Sequence, residues 1–153
     1  MKLVATIFLL CLSLNIQASC VILLHGLART SDSMDVLEKA LLKEGFSTVN
    51  DGYPSREHPV ELLADIAINS AIKKCPTGAN ISFVTHSLGG ILVRQYLSRH
   101  KVENLSRVVM LGPPNKGSEV VDKLRRVPGF HFINGDAGLQ LGTGALSVPK
   151  ASY

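Results

Sequence analysis

Ile81-Ser82-Phe83-Val84-Thr85-His86-Ser87-Leu88-Gly89-Gly90 decides how the rest of the chain is read. Residues 81–85 form a short, mostly apolar run that fits a strand covered on both faces. A helical pattern opens at Gly89 and continues to His100, so strand passes into helix with almost no connecting loop. Ser87 stands in the turn between them. A sharp strand-to-helix turn lifts a serine hydroxyl above the sheet edge, and the crowding there demands small neighbours. The helix start beneath it offers N–H groups and a positive dipole end to a developing oxyanion. Thr85 departs from Gly-x-Ser-x-Gly at its first position, and Gly90 is the neighbour small enough to relieve the crowding. A serine at such a junction is also an ordinary helix cap.

Working outward, strands and helices alternate. Val21-Ile22-Leu23-Leu24 is a continuous apolar run of the buried-strand type. Residues 31–44 read as a helix with Met34, Leu37 and Leu41 on one side, capped by Thr30 or Ser31 and closed by Gly45. Residues 46–50 form a second strand, closed by the turn-like Asp51-Gly52-Tyr53-Pro54-Ser55. A helix over 59–74 has Pro59 at its first position and an apolar stripe of Val60, Leu63, Ala64, Ala67 and Ala71. Cys75-Pro76-Thr77-Gly78 stops it. Arg107-Val-Val-Met-Leu111 is a fourth strand, followed by Pro113-Pro114-Asn115 and a short helix over 118–126. From Val127 onward the Gly and Pro content predicts loop. The alternation predicts the α/β class: a parallel sheet with flanking helices, joined by right-handed crossovers.

A second turn strengthens the first. His25-Gly26-Leu27 directly follows the first strand, about 60 residues before Ser87. Gly26 lets the backbone bend there, although a lone His-Gly pair at a strand end most often only packs. Strand-His-Gly-Leu followed by strand-His-Ser-Leu-Gly-Gly-helix, in this order, is a rarer coincidence.

From Cys20 to about Val127 the chain resembles the lipase and esterase branch of the α/β-hydrolase family. Val-Ile-Leu-Leu-His-Gly-Leu is similar to the family's oxyanion strand and loop, and Phe-Val-Thr-His-Ser-Leu-Gly-Gly to its nucleophile elbow. Val-Val-Met-Leu-Gly-Pro-Pro-Asn-Lys-Gly-Ser resembles the strand and loop that follow. The resemblance implies that Ser87 is the nucleophile and that the backbone N–H groups of Leu27 and Leu88 form the oxyanion hole. His25, Gly26, His86 and Gly89 are their motif neighbours, with His86 structural or pocket-lining rather than a base. Leu27, Leu88 and Ile91 would line a pocket for an apolar acyl chain.

The family's order is serine, then an acid, then histidine. After Ser87 the sequence offers His100, His131, Asp122 and Asp136. His100 ends the helix begun at the elbow, roughly 15 Å from Ser87, and cannot reach it. His131 lies in a segment read as loop, Asp122 on the solvated side of a short helix, and Asp136 in a turn. The expectation is a domain incomplete on its C-terminal side, its acid and histidine lying beyond it. The fourth strand, apolar on both faces, would then sit at an open edge.

At 153 residues with 46% hydrophobic and 18% charged residues, the chain suits one packed domain rather than a disordered segment. A formal charge of +4, scattered except for Lys73-Lys74 and Arg125-Arg126, gives no nucleic-acid surface. Lys2, the apolar stretch 3–14 and the small and polar residues 15–19 read as a secretory signal peptide over 1–19, leaving a domain over 20–153. The stretch is too short to span a bilayer, which takes about 20 residues. Export implies a periplasmic or secreted protein. Lipid anchoring at Cys20 is less favoured, because Gln17 stands where an aliphatic residue is wanted. In an oxidising compartment Cys20 and Cys75, each just before a strand, are placed for a disulfide; two buried free thiols remain an alternative.

The sequence therefore predicts an exported serine hydrolase of carboxylic, lipid-like esters working through an acyl-enzyme. Its partners would be a small-molecule or lipid ester, with transient membrane-surface contact compatible with that class; no oligomeric state is specified. The rivals are an inactive half-fold that serves as a binding module, or a non-functional fragment. No Gly-x-Gly-x-x-Gly or phosphate loop supports a nucleotide binder, and the five histidines lack metal-ligand spacing, so no cofactor is expected.

Overall fold

A computed structural model describes residues 18–143. The expected signal peptide lies almost wholly outside them. Four strands form one parallel sheet: β1 (Ser19–Leu24), β2 (Ser47–Val49), β3 (Asn80–His86) and β4 (Leu105–Leu111), in the order β2-β1-β3-β4. From β1 the chain moves one way to β2 and then back past β1 to β3. Right-handed crossovers taken in opposite directions place their helices on opposite faces. The strand order therefore reverses at β1, and a crevice opens above β1 and β3 at their carboxyl ends, where ligands bind in open α/β sheets.

After a 3-10 turn at Ser31–Met34, α1 (Asp35–Lys43) connects β1 to β2. The helix expected over 31–44 is thus tightened in its first turn, and Thr30 gives no side-chain cap. α2 (Val60–Lys74) follows β2, with Pro59 as its cap residue rather than its first helical one. The stripe of Val60, Leu63, Ala64, Ala67 and Ala71 is buried as a unit, joined by Ile68. α3 (Leu88–Leu97) packs beside it, and the two cover the sheet face formed by Cys20, Ile22, Leu24, Ile81 and Phe83. Among the described residues β4 has no neighbour on its outer side.

Cys20 and Cys75 form a disulfide with Cα atoms 5.8 Å apart, tying the start of β1 to the end of α2. Both sit at the amino end of the sheet, as the placement before neighbouring strands implied. Closing a 55-residue separation stabilises the fold by about 4 kcal/mol in the chain-entropy picture.

The segment after β4 corrects one expectation. The Gly and Pro content beyond Val127 predicts loop, but α4 (Glu119–Leu124) is followed by α5 (Phe130–Gln140), an interrupted helix. Gly129 enters it with φ 87° and Gly135 breaks it with φ 65°. Glycine at both points hides the helical period in the sequence while making the bends sterically allowed.

Candidate active site

Ser87 has φ 50° and ψ −115°, a conformation that non-glycine residues rarely adopt. Such strain costs on the order of 1–3 kcal/mol and persists only where the surroundings enforce it. The surroundings do so through the backbone: Ser87 N–H donates to the Leu111 carbonyl at 2.9 Å, and Gly90 N–H to the Ser87 carbonyl at 3.0 Å. A methyl group at Gly89 would come 2.5 Å from the Leu24 carbonyl oxygen, so only glycine lets α3 start this close to β1. A methyl at Gly90 would meet Pro113 at 3.0 Å and the Thr85 hydroxyl at 3.2 Å. Gly90 thus makes room for the threonine that departs from the motif. Thr85 is fully buried, its hydroxyl 3.5 Å from the Val109 carbonyl.

The helix-cap alternative fails on geometry. Ser87 occupies the cap position of α3, yet its side chain accepts no hydrogen bond from the helix. It is half-buried, and its hydroxyl has no partner among the described residues. Leu88 and Gly89 begin the helix, where N–H groups have no intrahelical acceptor.

The neighbouring turn is held by side chains. Tyr53 donates its hydroxyl to the His25 carbonyl at 2.5 Å, and its own N–H lies 3.3 Å from His25 Nε2. With Nε2 accepting, Nδ1 carries the proton and donates to the Gly26 carbonyl at 2.8 Å. The His25 and Tyr53 rings stack at 4.1 Å. Burial lowers the His25 pKa, with the Gly26 hydrogen bond opposing it, so the imidazole is held neutral. Burial pushes the Tyr53 phenol up, which keeps its hydroxyl a donor. The Ala28 N–H, at a residue with φ 54°, donates to the buried Ser55 hydroxyl at 3.1 Å. The Leu27 N–H has no partner among the described residues. Nothing in Asp51-Gly52-Tyr53-Pro54-Ser55 beyond a turn signal announced this support, because its targets lie 27 or 28 residues away.

The two turns touch. β1 and β3 pair in register with Leu24 opposite Thr85, so the residues beyond them rise together. A methyl at Gly26 would stand 3.4 Å from Ser87 Cβ and 2.9 Å from His86 Nδ1. His86 is exposed and opens onto a mostly apolar groove of about 570 Å³ lined by Met34, Val36, Leu37, Ala40 and Leu111, together with Arg29 and Ser33. The pocket lining expected from Leu88 and Ile91 is not there. Both are buried on the inner face of α3, where that helix meets the sheet, and only Leu27 remains partly accessible.

The other candidate acids and bases are engaged elsewhere. His100 lies beyond α3 and meets Asp65 at 3.1 Å. Asp65 also takes both Arg99 nitrogens; slight burial raises its pKa, and Arg99 and His100 outweigh that to hold it low. His131 Nε2 meets Asp136 at 2.8 Å on an exposed stretch of α5. Asp136 therefore bridges the kink rather than forming a simple turn. Asp122, expected to be solvated, accepts from the Thr143 N–H and hydroxyl, which lower its pKa. Among the described residues no three His, Cys, Asp or Glu side chains are grouped to hold a metal ion.

No sequence-family profile and no curated protein matches the chain. Solved structures do. A lipase of Bacillus licheniformis in mature form superposes with TM-score 0.64 at 22% identity, covering 86% of this chain and 58% of its own. A phospholipase of Legionella pneumophila gives 0.61 at 24%, covering 83% and 33%. An esterase of Exiguobacterium antarcticum gives 0.56 at 22%, covering 71% and 47%. At these identities the likeness shows the fold, which is that of the α/β-hydrolases. The chain spans about a third to three-fifths of the length of these structures.

Proposed function

We propose that a chain with this fold is a serine hydrolase of carboxylic esters, with Ser87 as nucleophile and the N–H groups of Leu27 and Leu88 as oxyanion donors. The observation that carries the proposal is the strained Ser87 beside the Gly26 turn, its hydroxyl without a partner among the described residues. In the reaction the Ser87 oxygen bonds to the ester carbonyl carbon while the serine proton passes to a base. The negative charge gathers on the carbonyl oxygen, facing the two amides. The bond to the alcohol then breaks, the alcohol takes up a proton, and water releases the acid from the acyl-serine. The apolar groove beside His86 suits an acyl chain or a hydrophobic alcohol. A lipid-like ester, export past the membrane and a stable Cys20–Cys75 disulfide form one consistent picture.

A second reading has its own observation. His25 is locked into its turn, His100 and His131 are paired with aspartates, and among the described residues no histidine bonds to Ser87. A half-fold that binds esters without turning them over fits that arrangement. Without a base, serine attack loses several orders of magnitude while the oxyanion donors retain some rate. A fluorophosphonate probe separates the two. Covalent labelling that disappears in Ser87→Ala supports the hydrolase; a folded, monodisperse sample that never labels refutes it.

A further inference from the structure

We propose that residues 123–133 form a seat for an anionic lipid surface. Their sequence, Lys-Leu-Arg-Arg-Val-Pro-Gly-Phe-His-Phe-Ile, interleaves three cations with apolar and aromatic side chains and contains no acid. Every residue of it except Phe130 is exposed, the apolar ones included: Phe132 is 93% exposed, Ile133 56% and Val127 52%. A packed helix would turn such side chains inward. α5 instead buries its far end, through Ala137, and leaves Phe132 and Ile133 in solvent. Contiguous exposed apolar surface of this kind marks an interaction site.

Charge chooses the partner. Asp122 is engaged by Thr143 and Arg125 and Asp136 by His131, while Glu119 shares a surface depression with Lys123 and Arg126. Lys123 and Arg126 have no salt bridge among the described residues. Cations beside exposed Phe, Ile and Leu match an anionic headgroup layer with acyl chains beneath it. The segment is also braced. The Ile133 carbonyl accepts from Arg56, the Ser118 N–H donates to the Leu141 carbonyl, and a methyl at Gly138 would lie 3.3 Å from the Leu27 side chain. The end of the segment is thereby tied to Arg56, and the buried part of α5 beyond it reaches the Leu27 turn.

Flotation of the full chain with phosphatidylcholine vesicles, and with vesicles also containing phosphatidylglycerol, tests the proposal. Binding is expected only with the anionic lipid and weakens as salt rises. The pair Lys123→Gln and Arg126→Gln should lower partitioning about thirtyfold, near fivefold per cation. Phe132→Ser with Ile133→Ser should lower it by at least about tenfold. All variants share the same N-terminal apolar stretch, so its own lipid affinity cancels. Far-UV spectra check that they fold, and Ser87→Ala should partition like the parent, keeping this result separate from the chemistry at Ser87. Equal binding to neutral vesicles, no binding to either, or binding that the variants leave unchanged would overturn it.

Discussion

The turn at His25 and the turn at Ser87 rise side by side from β1 and β3, yet they are fixed by different forces. The His25 turn is held by polar side chains from the loop after β2: the Tyr53 hydroxyl, the Ser55 hydroxyl and the imidazole itself. Among the described residues the Ser87 side chain makes no hydrogen bond, and its turn depends on backbone contacts and on the absence of side chains at Gly89 and Gly90. One turn is adjustable by charge and protonation. The other is governed by volume alone.

The largest expected effect comes from adding volume. Gly89→Ala drives a methyl into the Leu24 carbonyl, which is backbone and cannot step aside. Overpacking of this kind costs about 3 kcal/mol, and thermal melts should show it as a fall of many degrees with labelling lost in proportion. A melt within a degree of the parent would mean that α3 can slide, and that the Ser87 turn is looser than its contacts indicate.

Removing one polar support should cost less. Tyr53→Phe leaves the buried His25 carbonyl without its donor, a loss of about 1–2 kcal/mol. The Leu27 turn should loosen with it, so phosphonate labelling of Ser87 slows while the fold remains. Unchanged labelling with a lowered melting temperature would assign Tyr53 to stability alone.

The smallest effect is acid-dependent. Folding lowers the His25 pKa through burial, so the unfolded chain takes up a proton more readily than the folded one. Stability is therefore fully present above the ordinary imidazole value of 6.5 and falls as pH drops toward the lowered value. Each unit of depression corresponds to about 1.4 kcal/mol. Melting temperature should decline between pH 7.5 and pH 5, and His25→Gln should flatten that decline. An equal slope in the variant would place the titration elsewhere.

How much of this could be read from the sequence follows the same division. Local patterns carried the strands, the α2 stripe, the Ser87 turn and the Thr85–Gly90 compensation, since each depends on residues close in sequence. The convergence of Gly26 with Ser87 was also accessible, because two strand-end signals on neighbouring strands imply it. What escaped depends on distance or on glycine. Tyr53 and Ser55 read as a turn because their partners lie in another segment. Gly129 and Gly135 mask α5, and Leu88 and Ile91 pass for pocket lining because apolar side chains beside a site look alike in sequence whether they face solvent or core. His131 and Asp136 are five residues apart, and only the kink between them makes them a pair.

The outer margin of β4 has a consequence for handling the protein. Alternate main-chain donors and acceptors of Leu105–Leu111 point out along that margin, with Leu105, Val109 and Leu111 partly in solvent and Arg107 the sole charge. Among the described residues nothing covers that margin, and an uncovered strand edge is a place where a further strand can pair. Dilution series therefore belong beside every melt.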